Sequence, residues 1–429
     1  MIKTLVNAWK IPDLRKKMVF TMIILLLYRL GCQIPVPYIS SDVLRSTIAA
    51  YSGSMFGYLN ILSGQAFSQA TLFALSVSPY ITAQIVMQLL AIAIPALERL
   101  SKDGEEGRKK IDKITRFVTV GLALVTAFGY YRYIKSIGAL TDKGNGLFAA
   151  FVIIACYCGG AGLIMWLADK IDDKGIGNGI SMMLFVNILS SGWTILSTLI
   201  GQFQSGGWDI LFAILSIIIM IGVITLIVFV TNSERRIPVQ YAKRVVGRKM
   251  YGGQASNLPL KLNMTGVMPI IFASSIVSLP QTISLFTGTK EGTFWAGFVN
   301  LFKTTSPVYL ILYIILIFAF AYFYVEISFN PVEVANDLKK NGGFVPGIRP
   351  GKPTSDYIKK VLNKVTLIGA IFLAFIAGLP LLVNMCLSDK LGILAFGGSS
   401  MLIVVGVALE TARELESQMA MRHYKGFLE

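Results

Sequence analysis

The sequence predicts an all-α membrane protein of ten transmembrane helices. Of its 429 residues, 54% are hydrophobic and only 14% charged. Mean hydropathy is +0.66, outside the range of ordinary soluble domains. Ten stretches nearly free of charge approach the roughly 20 residues that a helix needs to cross about 30 Å of hydrocarbon. They lie near 18–33, 72–94, 114–134, 147–168, 179–200, 209–231, 265–286, 307–329, 365–387 and 392–410. Runs such as Ile217 to Val230 are continuously apolar. Barrel strands would alternate between lipid and lumen, so helices are the spanning element expected.

The first span follows Lys3, Lys10, Arg15, Lys16 and Lys17, and ends in Leu30-Gly31-Cys32, a weak likeness to a lipoprotein cleavage site. Arg29 stands where such a site requires an aliphatic residue, so the segment is expected to be retained. Arg29 then either snorkels or is paired inside the bundle. Cys32, Cys156, Cys158 and Cys386 all fall in or beside apolar runs, and His423 is the sole histidine. Neither a zinc site nor a disulfide framework is expected.

Lys and Arg concentrate on cytoplasmic loops of membrane proteins. The N-terminus, the C-terminus and loops 2/3, 4/5, 6/7 and 8/9 together carry 30 such residues, and the opposite loops carry 7. Both termini are therefore expected in the cytoplasm. An invented or overlooked span would have swapped every later loop and blurred this asymmetry, so the count of ten is supported twice. Ten spans divide into halves of five, 1–200 and 201–429, and an odd number per half permits an inverted repeat. The connection Gly201 to Trp208 would be the hinge.

Three segments are unusual. Gly53 to Gln69 mixes Met55, Phe56, Tyr58, Leu59, Ile61, Leu62 and Phe67 with Gly, Ser, Asn60 and Gln65, and is too short and polar to span. It is either an interfacial helix or a re-entrant piece buried against protein. The loops at about 232–264 and 330–364 are long for a compact membrane protein. One carries Arg235, Arg236, Lys243, Arg244, Arg248 and Lys249; the other carries Lys339, Lys340, Arg349, Lys352, Lys359 and Lys360, with Arg349 among Gly and Pro. Positive-inside bias accounts for the charge but not the length, which suits docking of a large acidic partner such as ribosomal RNA or a soluble motor protein. Finally, Lys174-Gly-Ile-Gly-Asn-Gly-Ile180 reads as a flexible turn that starts a helix abruptly. Its lysine precedes the glycines and no Gly-Lys-Ser/Thr follows, so a nucleotide cradle is not expected.

Ion-coupled transporters need Asp, Glu or His near the membrane centre. The spans offer Arg29, Arg116, Glu326 and Glu410, all near ends, and no Walker, HExxH or nucleophile-elbow motif occurs. An intramembrane enzyme, a solute transporter and a pore-free scramblase or insertase are thus weaker readings than a passive conduit. An apolar constriction would seal such a conduit by dewetting.

A set of motifs, in order over nearly the whole chain, resembles the bacterial SecY family. They are Gln33-Ile-Pro-Val-Pro37, Ser78-Pro-Tyr-Ile81, Gly104-Glu-Glu-Gly-Arg-Lys-Lys-Ile111, Gly175-Ile-Gly-Asn-Gly-Ile-Ser181, Tyr241-Ala-Lys-Arg244, Phe272-Ala-Ser-Ser-Ile276, Asn330-Pro331 and Phe344-Val-Pro-Gly-Ile-Arg-Pro-Gly351. The resemblance implies a clamshell of two pseudo-symmetric inverted five-helix halves in the bacterial cytoplasmic membrane. It would conduct secretory chains across and release membrane helices sideways between spans 2 and 7, flanked by 3 and 8. It implies a hydrophobic pore ring of Val77, Ile81, Ile180, Leu184, Ile271 and Ile403. It also implies a plug over 53–69 containing Phe56, Leu59, Ile61 and Leu62, and partner docking through Arg244, Arg248 and Arg349. SecE and SecG subunits, the SecA motor, the ribosome, signal sequences, translocating chains and membrane lipids are the partners it implies, and no cofactor.

Overall fold

The computed structural model describes residues 2–50, 60, 63–141, 144, 146–205, 208–241, 244–246, 249–251, 255–287, 297–298, 301–302, 306–387 and 398–425. Each of the ten expected spans carries one helix. These are α2 (Pro12–Gly31), α4 (Ser78–Ala93), α6 (Gly104–Ile137), α7 (Leu147–Lys174), α8 (Gly179–Ser205), α9 (Trp208–Asn232), α10 (Met268–Thr287), α11 (Pro307–Ser328), α13 (Lys352–Leu387) and α14 (Gly398–Lys425). Four shorter helices, α1 (Ile2–Lys10), α3 (Ser41–Ala50), α5 (Pro95–Lys102) and α12 (Pro331–Lys340), lie between or beside them. Among the described residues, four helical stretches are by themselves long and apolar enough to cross a membrane: Leu147–Lys174, Ala213–Asn232, Pro307–Lys340 and Lys352–Val383. The pair Ser78–Ala93 and Pro95–Ser101, bent by 106°, makes a fifth if it is one span. Gly179–Trp193 and Met268–Val277 are apolar but shorter.

The second span differs from the expected 72–94. Residues 63–77 are turns, and the helix starts only at Ser78 with Pro79 in its first turn, where a missing N–H costs nothing. At the other end Pro95 holds Ile94 extended, and the chain turns into α5. The last two spans also differ. Lys352 to Lys364 extend α13 ahead of its apolar part, and α14 continues to Lys425.

The first half packs α4 on α6, α6 on α7, and α2 and α8 on α7; the second packs α10 on α11, α11 on α13 and α9 on α14. The halves meet along two seams. On one, α8 lies against α9 and α14; on the other, α10 lies against α4 and α6. The polar extension of α14 bonds to α9 of its own half and to α2 of the other. Arg413 Nη2 donates to the Thr231 carbonyl at 3.1 Å and to Asn232 Oδ1 at 2.8 Å, while Lys17 Nζ donates to Gln418 Oε1 at 3.3 Å. Thr4 Oγ1 on α1 donates to Glu416 Oε1 at 3.0 Å. Arg116 and Asp169 pair at 2.7 Å between α6 and α7.

The two long basic loops fold together. β1 (Glu234–Tyr241) pairs antiparallel with β4 (Ala255–Lys261), and a hairpin of β2 (Arg244–Val246) and β3 (Lys249–Tyr251) lies between them in sequence. β5 (Gly343–Phe344), from the other loop, adds to β1 through Gln240↔Phe344 and Tyr241↔Gly343. Ile237, Leu260, Val345 and Ile358 form a separate small core under this sheet. α12 closes the unit and is capped by Asn330, whose Oδ1 accepts from the Val332 and Glu333 N–H groups.

Candidate functional site

The six residues expected at a constriction come together. Val77, Ile180, Leu184 and Ile403 are buried in one apolar cluster, and Ile81 and Ile271 pack against it. Five elements deliver them. Val77 ends the 63–77 segment and Ile81 lies one turn into α4. Ile180 and Leu184, four apart, share a face of α8. Ile271 is in the first turn of α10, and Ile403 is on α14. Ile81 and Ile271 also pack against the large cluster of the second half, so they stand on the seam where α10 meets α4.

The start of α8 explains how Ile180 is aimed. Asn178 Oδ1 accepts from the Ser181 N–H at 3.1 Å, and Asp172 Oδ1 accepts from the Gly179 N–H at 2.7 Å. A Cβ on Gly179 would lie 2.2 Å from the Ala168 carbonyl oxygen, so only glycine lets α8 start against α7. Thr21 Oγ1 accepts from the Ile176 N–H at 3.1 Å. The glycine-rich turn, expected to be flexible, is instead fixed by hydrogen bonds on both sides.

In the described part of the 53–69 stretch, Asn60 is helical and half-buried, and the chain from Ser63 onward is not helix. Residues 63–77 are packed turns with Ser63, Ala66, Phe67, Ser68, Ala70, Thr71, Phe73, Ala74, Ser76 and Val77 buried. Their backbone is satisfied by protein: Asn60 Oδ1 accepts from the Ser68 N–H at 2.9 Å and Tyr130 OH donates to the Phe67 carbonyl at 2.5 Å. Val36 N–H donates to the Ala70 carbonyl at 3.1 Å, and Leu72 N–H to Ile34 at 2.9 Å. Irregular backbone survives at membrane depth only with such partners. Phe56, Leu59, Ile61 and Leu62 lie outside the described residues.

Sequence reasoning missed a polar layer beside this apolar cluster. Asn187, fully buried on α8, donates through Nδ2 to Tyr28 OH at 2.7 Å and to Ser76 Oγ at 3.4 Å. Arg29 is paired inside the bundle, its Nη1 donating to the Gly64 carbonyl at 3.3 Å and its Nη2 to Ser190 Oγ. Of the two expectations for Arg29, pairing is the one realised. The available signal for Asn187 was its place as a lone asparagine in the apolar run 179–200.

On the loop unit, Arg349 is exposed in a turn between Gly347 and Gly351, which adopt φ of 81° and 105°. Its carbonyl accepts from Thr354 Oγ1 at 2.8 Å, so the turn is fixed while the residue stays exposed. Arg244 opens β2, and Arg248 lies outside the described residues. Among the described residues no group of three or more His, Cys, Asp or Glu could hold a metal ion. Cys32, Cys156 and Cys158 are free thiols.

Comparison with known proteins agrees with this arrangement. The family model described as SecY matches residues 71–412. The chain is 43% identical to protein translocase subunit SecY of Streptomyces coelicolor over 445 residues, covering all of both chains. It is 39% identical to that of Mycobacterium bovis over 451 residues, again in full. A solved protein-conducting channel superposes with a TM-score of 0.67 at 20% identity, over 94% of this chain and 92% of that one. Sec61 in a canine ribosome–channel complex from the endoplasmic reticulum gives 0.63 at 19%, with the same coverage. The chain shares its architecture with these channels and its sequence, end to end, with the bacterial translocase subunits; it belongs to the SecY family.

Proposed function

We propose that polypeptides cross the membrane through the middle of this chain, passing the ring of Val77, Ile81, Ile180, Leu184, Ile271 and Ile403. The chain is a multi-pass membrane protein and a protein-conducting channel of the SecY type, a translocase subunit without enzymatic chemistry of its own. The observation that carries the reading is the convergence of six aliphatic side chains from five elements, two of them on the seam between the halves. Aliphatic walls exclude water and ions when closed, yet present no fixed partner to a passing chain.

Membrane segments would leave sideways where α10 lies against α4 and α6. The halves 1–200 and 201–429 would rotate about the opposite seam, and the 53–69 segment would plug the funnel at rest. The basic loop unit and both termini would face the cytoplasm, following the excess of Lys and Arg on that set of loops. There Arg349, with Arg244 and Arg248, would meet the SecA motor or ribosomal RNA, both rich in negative charge. SecE and SecG would complete the complex.

Reconstituting the chain with SecE and SecA and supplying a secretory precursor tests this. The expected result is precursor protected from added protease when ATP is present. Absence of protection, while a relative such as the Streptomyces coelicolor subunit succeeds in parallel, would refute it.

A further inference from the structure

We infer that Asn187 is a positioning residue for the pore: through Tyr28 and Ser76 it holds Val77 in register with Ile180 and Leu184. The inference rests on the channel reading of the ring. Asn187 follows Leu184 by three residues and Ile180 by seven, so it lies on the same face of α8, one turn beyond the ring. Its Nδ2 reaches Ser76 Oγ at 3.4 Å, and Ser76 immediately precedes ring residue Val77 and the start of α4. Ser76 has a φ of 51°, a left-handed conformation that a non-glycine residue keeps only when its surroundings hold it.

The same Nδ2 lies 2.7 Å from Tyr28 OH. Tyr28 in turn stacks on Phe73 at a centroid distance of 5.4 Å, and Gly31 makes room, since a Cβ there would lie 2.1 Å from the Phe73 ring. One asparagine thus joins α2, α8 and the turn that feeds α4. Arg29 makes a parallel tie one turn further along α8, from the Gly64 carbonyl to Ser190. A Cβ on Gly64 would lie 2.5 Å from Arg29 Nη1 and 3.0 Å from Asn187 Oδ1, so the turn closes onto both polar residues.

The physical need for such ties follows from the ring itself. Aliphatic side chains pack about as well after a small slide, so apolar contact alone fixes register weakly. A buried hydrogen bond has one good geometry, and breaking it in a low-dielectric interior strands polar groups. Asn187 touches no reacting or passing group. It acts through Ser76 on where Val77 sits, and so on how firmly the resting ring closes.

The test compares export of a precursor with a crippled signal sequence to export of the intact precursor, in membranes holding equal amounts of the channel. Asn187→Leu keeps the branching and the number of side-chain heavy atoms and removes both bonds. It should raise the crippled-to-intact ratio about fivefold to tenfold, the equilibrium shift expected from losing one or two buried hydrogen bonds. Tyr28→Phe should raise it by about twofold to threefold. Tyr28 also bonds Ser76 directly, so the double variant should show a rise at least as large as that of Asn187→Leu. A purely structural role would lower abundance and both exports together, leaving the ratio alone. An unchanged ratio in Asn187→Leu overturns the inference. If Asn187→Leu does not accumulate, an unchanged ratio in Tyr28→Phe overturns it. If the parent chain exports neither precursor, the channel reading itself falls.

Discussion

Alanine at Gly160 should destabilise the protein while alanine at the neighbouring Gly159 should not, although the chemical change is identical. Both glycines lie in the middle of α7. A Cβ built on Gly159 meets nothing within 4 Å, whereas one on Gly160 lies 2.1 Å from the Leu72 carbonyl oxygen and 3.3 Å from Leu72 Cγ. Ordinary contact begins near 3.4 Å, so helix and segment must part by about 1.3 Å. Residues 63–77 cannot yield freely. Leu72 donates to Ile34 at 2.9 Å, Val36 donates to Ala70 at 3.1 Å, and Tyr130 OH holds the Phe67 carbonyl. Separation would weaken two or three of these bonds, each contributing about 1 kcal/mol net. The alternative, forcing the methyl into a packed interface, costs about 1–3 kcal/mol. Gly160→Ala should therefore lose about 1–3 kcal/mol of unfolding free energy. Gly159→Ala should gain about 0.5–1 kcal/mol from helix propensity. Denaturation of the purified proteins in detergent, followed by loss of helical circular dichroism, measures both. Equal stability of the two variants would refute the placement of residues 63–77 against α7.

Three further perturbations probe the loop unit and the start of α8. Ile237→Ala empties the small core beneath the sheet and should cost that unit about 2–4 kcal/mol. Limited proteolysis should then cut between Glu234 and Lys261 while the spanning helices remain protected, and an unchanged digestion pattern would count against a separately packed unit. Arg349→Glu reverses an exposed charge whose backbone is fixed from Thr354. It should reduce motor-driven export severalfold with no change in thermal stability; normal export would remove Arg349 from docking. Gly179→Val places carbon against the Ala168 carbonyl and should lower both stability and export, whereas Gly177→Ala should be milder despite its φ of 80°, because its nearest neighbour is 3.4 Å away. Equal losses in the two variants would contradict the close approach of α8 to α7.

The ten helices were legible because an apolar run long enough to span is itself the physical cause of the element. What the sequence concealed depends on distant partners. Residues 63–77 are apolar enough to pass as the beginning of a span, and only the carbonyl and amide partners offered by Tyr130, Ile34 and Val36 make turns the better solution there. The strands in the basic loops were not foreseen. In β1 only Ile237 and Val239 are buried, too brief an alternation to signal a strand, and its neighbour β5 comes from the other basic loop. The ring residues were named by resemblance, since their aliphatic character matches dozens of lipid-facing positions. Asn187 was passed over, although a lone amide in an apolar span is costly unless it has partners, and that cost was the one signal the sequence offered for it.

The most direct measurement places a photo-crosslinking residue in turn at Ile81, Ile271, Phe151 and Phe229 while a secretory chain is stalled in transit. Ile81 and Ile271 pack on the seam between the two large apolar clusters, whereas Phe151 and Phe229 are each 71% exposed. A path through the centre predicts crosslinks from Ile81 and Ile271 to the stalled chain and none from the two phenylalanine positions. Crosslinks from Phe151 or Phe229, with Ile81 and Ile271 silent, would contradict a central pore.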